Sequence, residues 1–119
     1  MGLGVEGVGT RSLESCWGLL ARGLPSLRPL AAQISRSDSD LGRQMRRAQA
    51  SVALNVAEGA YSRGRNRQAR YHTALGSARE TLACIEVAVA LGYVTSLDDD
   101  LVGRFNRILG TLVRLSGVR

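Results

Sequence analysis

Residues 41–59 read LGRQMRRAQASVALNVAEG, and this stretch decides the fold. Its apolar residues Leu41, Met45, Ala48, Val52 and Val56 recur in steps of three and four. Such steps stack side chains on one face of an α-helix, whereas a half-buried strand requires strict alternation. No proline interrupts the run, and Gly59 is a natural stop at its far end. At the near end Ser37 and Asp40 read S-x-x-D, a capping-box pattern that opens a helix.

The same periodicity continues on both sides. Upstream, Leu13, Trp17, Leu20, Leu24, Leu27, Ala31 and Ile34 form a heptad seam, with Pro25 and Pro29 inside it. Interior prolines kink or break a helix, so the seam predicts one bent helix or two short ones sharing a face. Downstream, Tyr71, Leu75, Ala78, Leu82, Ile85 and Val89 predict a third helix, with Gly92 as its C-cap. Ser96 and Asp99 offer a second capping box. Val94, Leu97, Leu101, Phe105, Ile108, Leu112 and Leu115 then share a face of a fourth helix. Short connections make an antiparallel up-down four-helix bundle the simplest packing, an all-α fold. The expected helices cover about 12–35, 38–58, 66–91 and 96–116 of one domain over 12–117. Residues 1–11 are expected to be a disordered, glycine-rich tail.

Composition agrees with this reading. At 119 residues the chain can bury one core, and 4% aromatics disfavour sandwiches and barrels. Cys16 and Cys84 have no metal-ligand spacing and read as small core side chains in a reducing compartment. No apolar run is long enough for a membrane span, and the N-terminus has no basic segment of a secretory signal. A cytoplasmic protein without membrane contact is expected.

Three helices carry apolar residues beyond a single stripe: Ala50, Ala53 and Leu54; Thr81, Cys84, Val87, Ala88 and Leu91; Val102, Leu109 and Val113. A wide core face would explain them, but so would a partner, and self-association is the expectation. Polar residues also fall along the inner side of the pattern: Asn55 and Glu58, then Ser77 and Glu80 beside Gly76. Buried carboxylates require pairing, so a network with Arg46 or Arg79 answering a glutamate is expected, fixing register. A carboxylate metal site is the weaker reading, because His72 is the only histidine and no E-x-x-H occurs. Neither a nucleophile elbow nor a P-loop is present, which argues against an enzyme, and no cofactor is expected.

All sixteen basic residues are arginine, and they are unevenly placed. Residues 43–79 sum to +7 while the rest of the chain sums to −1. Arg63, Arg65, Arg67 and Arg70 crowd the turn between the second and third helices, with Arg43 and Arg47 upstream. A hairpin turn gathers such residues into a positive tip, flanked by Tyr61 and Tyr71, which could stack on bases. Phosphate binding is one consequence. A solvated surface, or pairing with Asp98–Asp100, is the alternative.

The run Gln44 to Ala48, then Ser51, Val52, Asn55 to Gly59, Arg63, Ala74 to Glu80 and Leu91 to Val94 resembles a bacterial four-helix-bundle family. It is the family of proteins encoded in intervening sequences of large-subunit ribosomal RNA genes. The accessory variability protein of diversity-generating retroelements is included in it. The resemblance spans about Leu13 to Leu115. It implies a homopentameric barrel with a basic surface and, in retroelements, partnership with nucleic acid and a reverse transcriptase. It also implies that Asn55, Glu58, Gly59, Gly76, Ser77 and Glu80 are mainly architectural. The leading expectation is therefore a homo-oligomeric nucleic-acid-binding accessory protein. An adaptor that docks an acidic protein partner is the second.

Overall fold

The computed structural model describes residues 11–117, and every regular element among them is helical. Helix α1 is Arg11–Gly23, a 3-10 turn follows at Pro25–Leu27, and α2 is Arg28–Ser37. Helices α3, α4 and α5 are Ser39–Ala60, Gly64–Ala90 and Asp99–Ser116. The tail expected over residues 1–11 lies outside the described residues, apart from Arg11, which begins α1.

The first arm, α1 and α2 together, packs on α3 through α2 and on α5 through α1, while α4 packs on both α3 and α5. The four arms close into an antiparallel bundle measuring 42 × 24 × 23 Å. Its first arm is two short helices that keep one buried face: Leu20, Leu27, Leu30, Ala31 and Ile34. Pro25 opens the 3-10 turn and Pro29 is the second residue of α2, positions where a missing N–H costs least. Leu24, Leu27 and Arg28 stay right-handed, so the path bends without reversing.

The helix starts differ from the sequence expectation for one local reason. Asp38 alone separates α2 from α3, at φ −152° and ψ 99°, and its Oδ1 accepts from Leu41 N at 3.0 Å. The N-cap is therefore Asp38 rather than the Ser37–Asp40 box, and Asp40 instead pairs with Arg43 at 2.8 Å. Likewise Asp98 caps α5, its Oδ1 accepting from Asp100 N at 3.2 Å, in place of Ser96. Val94 is buried and Leu97 half-buried in the preceding loop, which delays the helix until Asp99. At the end of α4, Gly92 takes φ 82°, while Tyr93 N donates to Ala88 O at 2.9 Å and Gly92 N to Val89 O at 3.1 Å. This is a Schellman closure, which needs a residue tolerant of the left-handed conformation.

Helices α3 and α5 bury the expected columns, with Met45, Val52, Val56, Ile108 and Leu112 essentially inaccessible. Helix α4 does not. Val89 is 42% exposed and Leu82 only partly buried, whereas Ala74, Thr81, Cys84 and Ala88 are in the core. The buried face thus adds Ala74, Thr81, Cys84 and Ala88 to the expected column, widening it toward its small-residue side. Small residues there let α3 lie close, and the Thr81 hydroxyl donates to Ser77 O at 3.0 Å, so its burial strands no donor. Of the expected second apolar face, Thr81, Cys84 and Ala88 are core, and Leu109 and Val113 pack against it partly buried. Leu54, Val87, Leu91 and Val102 remain exposed.

Both cysteines are free and buried. Burial pushes the Cys16 thiol up to about 11 and raises that of Cys84, where Glu80 adds to the effect.

Gly59 is buried in the last turn of α3, and the helix runs past it to Ala60. A Cβ there would lie 2.7 Å from Cε1 of Tyr71 and 3.1 Å from Cδ1. The glycine is therefore a packing requirement rather than a stop signal.

Gly59→Ala is expected to lower the unfolding free energy by about 1–3 kcal/mol in urea titrations, the usual cost of overpacking. The raised Cys16 pKa has its own consequence. An unfolded thiol ionises near 9.0, while the folded one keeps its proton to about 11. Across that window the unfolded state binds fewer protons, so stability falls as pH rises. Cys16→Ala should make the urea midpoint fall less steeply over the same interval.

Candidate nucleic-acid interface at the arginine tip

Three residues, 61–63, connect α3 to α4. Tyr61 closes α3 with its N–H on the carbonyls of Glu58 and Gly59, and Ser62 Oγ donates to Glu58 O at 3.0 Å. Arg67 completes this closure from the far side of the turn. Its Nε donates to Gly59 O at 3.2 Å and Ser62 O at 2.9 Å, adding a side-chain donor to carbonyls at the end of α3 and in the turn. Arg67 is correspondingly half-buried.

Arg63 stands at the N-cap of α4 with extended backbone and no side-chain cap, and the first turn of that helix holds no acid. Arg63 and Arg65 are exposed, and among the described residues neither side chain has a hydrogen-bond or ion-pair partner. A helix N-terminus already carries about +0.5 of an elementary charge, so cations there are placed against the dipole. The tip therefore combines guanidinium charge with outward-pointing N–H groups, the combination that attracts oxyanions.

The other three arginines of the candidate set are placed differently. Arg70 pairs with Glu58 at 2.9 Å, both side chains about half exposed. Arg43 pairs with Asp40 and lies near the opposite end, about 26 Å from Ala60 by helix rise. Arg47 is exposed beside a groove of about 420 Å³ that it shares with Gln44, Ser51, Ser77 and Glu80. The structure thus gathers Arg63, Arg65, Arg67 and Arg70 at one end and leaves Arg43 and Arg47 along α3. Tyr61 is 67% exposed at the tip, but Tyr71 is core and cannot stack on a base. Burial raises its phenol pKa, with nearby Arg67 opposing the shift.

The polar motif flanks the core instead of entering it. Asn55 Nδ2 donates to Ser51 O at 2.9 Å and to Ser51 Oγ at 3.2 Å. Ser51 Oγ in turn meets Ser77 Oγ at 2.6 Å, a bridge from α3 to α4. Glu58 and Glu80 are exposed, so no carboxylate has to be desolvated. The arginine that answers a glutamate is Arg70. Arg46 instead donates to Ser35 Oγ on α2, and Arg79 is exposed. Gly76 is exposed on α4, and a Cβ there would meet nothing within 4 Å.

One basic concentration escaped the sequence reading. Arg22 of α1 and Arg107 and Arg114 of α5 line one groove, although they are far apart along the chain. No local window contains them together; pairing α1 with α5 would have revealed it.

Arg67→Ala should cost about 1 kcal/mol in urea titrations, because it strips hydrogen bonds from the α3 terminus. Arg63→Ala and Arg65→Ala should stay within about 0.5 kcal/mol of the parent, as partnerless surface residues do.

Two comparisons with known proteins find nothing: neither a curated protein nor a solved structure matches the chain. A family model does match, over residues 29–113, which covers α2, α3, α4 and most of α5. That span contains the Gly59–Tyr71 contact, the Ser51–Ser77 bridge and the whole arginine tip. The chain therefore belongs to the family of 23S rRNA-intervening sequence proteins.

Proposed function

We propose that this protein is a non-catalytic, homo-oligomeric accessory protein that binds nucleic acid through the tip of the α3–α4 hairpin. The observation that carries the reading is the start of α4. Arg63 and Arg65 sit at the positive end of the helix dipole, with no acid in the first turn and no partner among the described residues. That placement is unfavourable for the helix alone and favourable once phosphates approach. Arg70 contributes after exchanging Glu58 for a phosphate, Tyr61 offers a stacking surface, and Arg67 holds the turn in shape. Arg43 and Arg47 extend the basic surface along α3.

Self-association is supported by the outward faces of α3 and α4. Leu54 is 61% exposed, Val87 44% and Leu91 59%, and Gly76 leaves the middle of α4 bare. Exposed apolar side chains of this size are favourably covered by a second copy. Five subunits is the assembly implied by the resemblance to retroelement accessory proteins, and a reverse transcriptase is the protein partner it implies. Among the described residues no helix is long and apolar enough to cross a membrane, and action in the cytoplasm is part of the same proposal.

Anisotropy titrations of labelled single-stranded and duplex RNA and DNA, with subunit number fixed by light scattering, test the reading. Affinity should fall with salt at a log–log slope of about 0.9 per duplex phosphate engaged. Arg63→Ala with Arg65→Ala should lower both affinity and slope by about two contacts per subunit bound. Binding that is absent at low salt would overturn the nucleic-acid reading and favour an acidic protein partner. A monomer at all concentrations would overturn the assembly.

A further inference from the structure

A second basic site lies away from the tip, between the first and last helices. Helices α1 and α5 pack together and leave a groove of about 580 Å³, within the range that holds small ligands. Arg22, Arg107 and Arg114 line it, together with Asn106, Thr111 and the apolar side of Leu19. Among the described residues its lining carries three cations and no carboxylate.

All three arginines are solvent-exposed, and two of them lie back along their own helices at the groove. Arg22 folds back across Gly18, where a Cβ would lie 3.6 Å from Nη1 and 3.9 Å from Nη2. Arg114 folds across Gly110 in the same i, i+4 relation, with 4.0 Å to Nη1, and its Nη2 donates to Thr111 Oγ1 at 3.2 Å. Glycine inside a helix weakens it, so two glycines beneath two guanidiniums disfavour the helices while opening the groove. Like charges converging on one concavity repel, and an oxyanion relieves the repulsion with charge-assisted hydrogen bonds. Arg22 and Arg114 both fall outside the residues that match the family model.

We infer that the α1–α5 groove is a binding site for a phosphate-bearing anion of about nucleotide size. Arg22, Arg107 and Arg114 hold the phosphates, Asn106 and Thr111 add neutral polar contacts, and Leu19 supplies an apolar wall. The same chemistry could arrive as a free polyphosphate or nucleotide, or as a phosphodiester segment of a nucleic acid. The site is independent of the tip and stands or falls separately from it.

Calorimetry on the full chain at low salt, with tripolyphosphate, ATP and a twelve-nucleotide oligothymidylate as probes, tests the inference. At least one probe should bind saturably, and Arg22→Ala, Arg107→Ala and Arg114→Ala combined should weaken it at least about tenfold, the scale of one lost charged hydrogen bond. Gly110→Leu, which fills the groove and keeps every charge, should weaken the same probe. Whatever binding it removes at the tip, Arg63→Ala with Arg65→Ala should leave in place the part of tripolyphosphate and ATP binding that the groove variants abolish. Loss confined to the oligonucleotide identifies the source as a phosphodiester backbone, and loss confined to the small probes a free phosphate. The inference is overturned if no probe responds to the groove variants, or if Gly110→Leu binds as tightly as the parent. Circular dichroism of each variant separates these outcomes from misfolding.

Discussion

Where the ring of Tyr71 lies against the bare Cα of Gly59, α3 and α4 come closer than any side chain at that position would permit. The contact buries the largest inaccessible side chain of the bundle and sets the register of the hairpin. With that register, Ser51 meets Ser77 and Glu58 meets Arg70. Arg67 is then within reach of the carbonyls of Gly59 and Ser62. The turn so formed presents Arg63 and Arg65 outward at the start of α4. A shift of one residue in this pairing would carry the small Ala74, Thr81 and Ala88 out of the interface and break the serine bridge.

The arginines divide by what holds them. Arg46 and Arg67 hydrogen-bond across elements, Arg43 and Arg70 form exposed ion pairs worth little in isolation, and Arg63 and Arg65 have no partner among the described residues. Because the guanidinium stays charged at any biological pH and offers a planar fork, one residue type serves all three situations. A residue that closes a helix and one that waits for a phosphate therefore look alike in the chain. Only their surroundings separate them.

A net charge over a segment conceals geometry in the same way. The residues outside 43–79 sum to −1, yet three of their arginines converge on the α1–α5 groove. Four of the balancing acids, Asp38, Asp98, Asp99 and Asp100, serve as caps and first-turn residues of α3 and α5. Helix dipoles draw carboxylates to N-termini, and with those acids spent there, the groove keeps its positive field.

The amino-acid sequence by itself determined the all-α class, the four arms, the buried columns of α3 and α5, and the glycine closure of α4. These depend on periodicity and backbone preference, which are local. It also contained the family signature, whose centre spans residues 44–94. Which residues complete the buried face of α4 beside Tyr71, Leu75, Ala78 and Ile85 was decided only by the tertiary structure. That helix touches two neighbours, and the small-residue side toward α3 outweighs the larger Leu82 and Val89. Tertiary packing likewise put Asp38 and Asp98 at the caps, left Glu58 and Glu80 in solvent, and brought Arg22 to Arg107 and Arg114. Each of these rests on contacts between residues distant in the chain, or on backbone angles at a junction, and neither is encoded in a one-dimensional pattern.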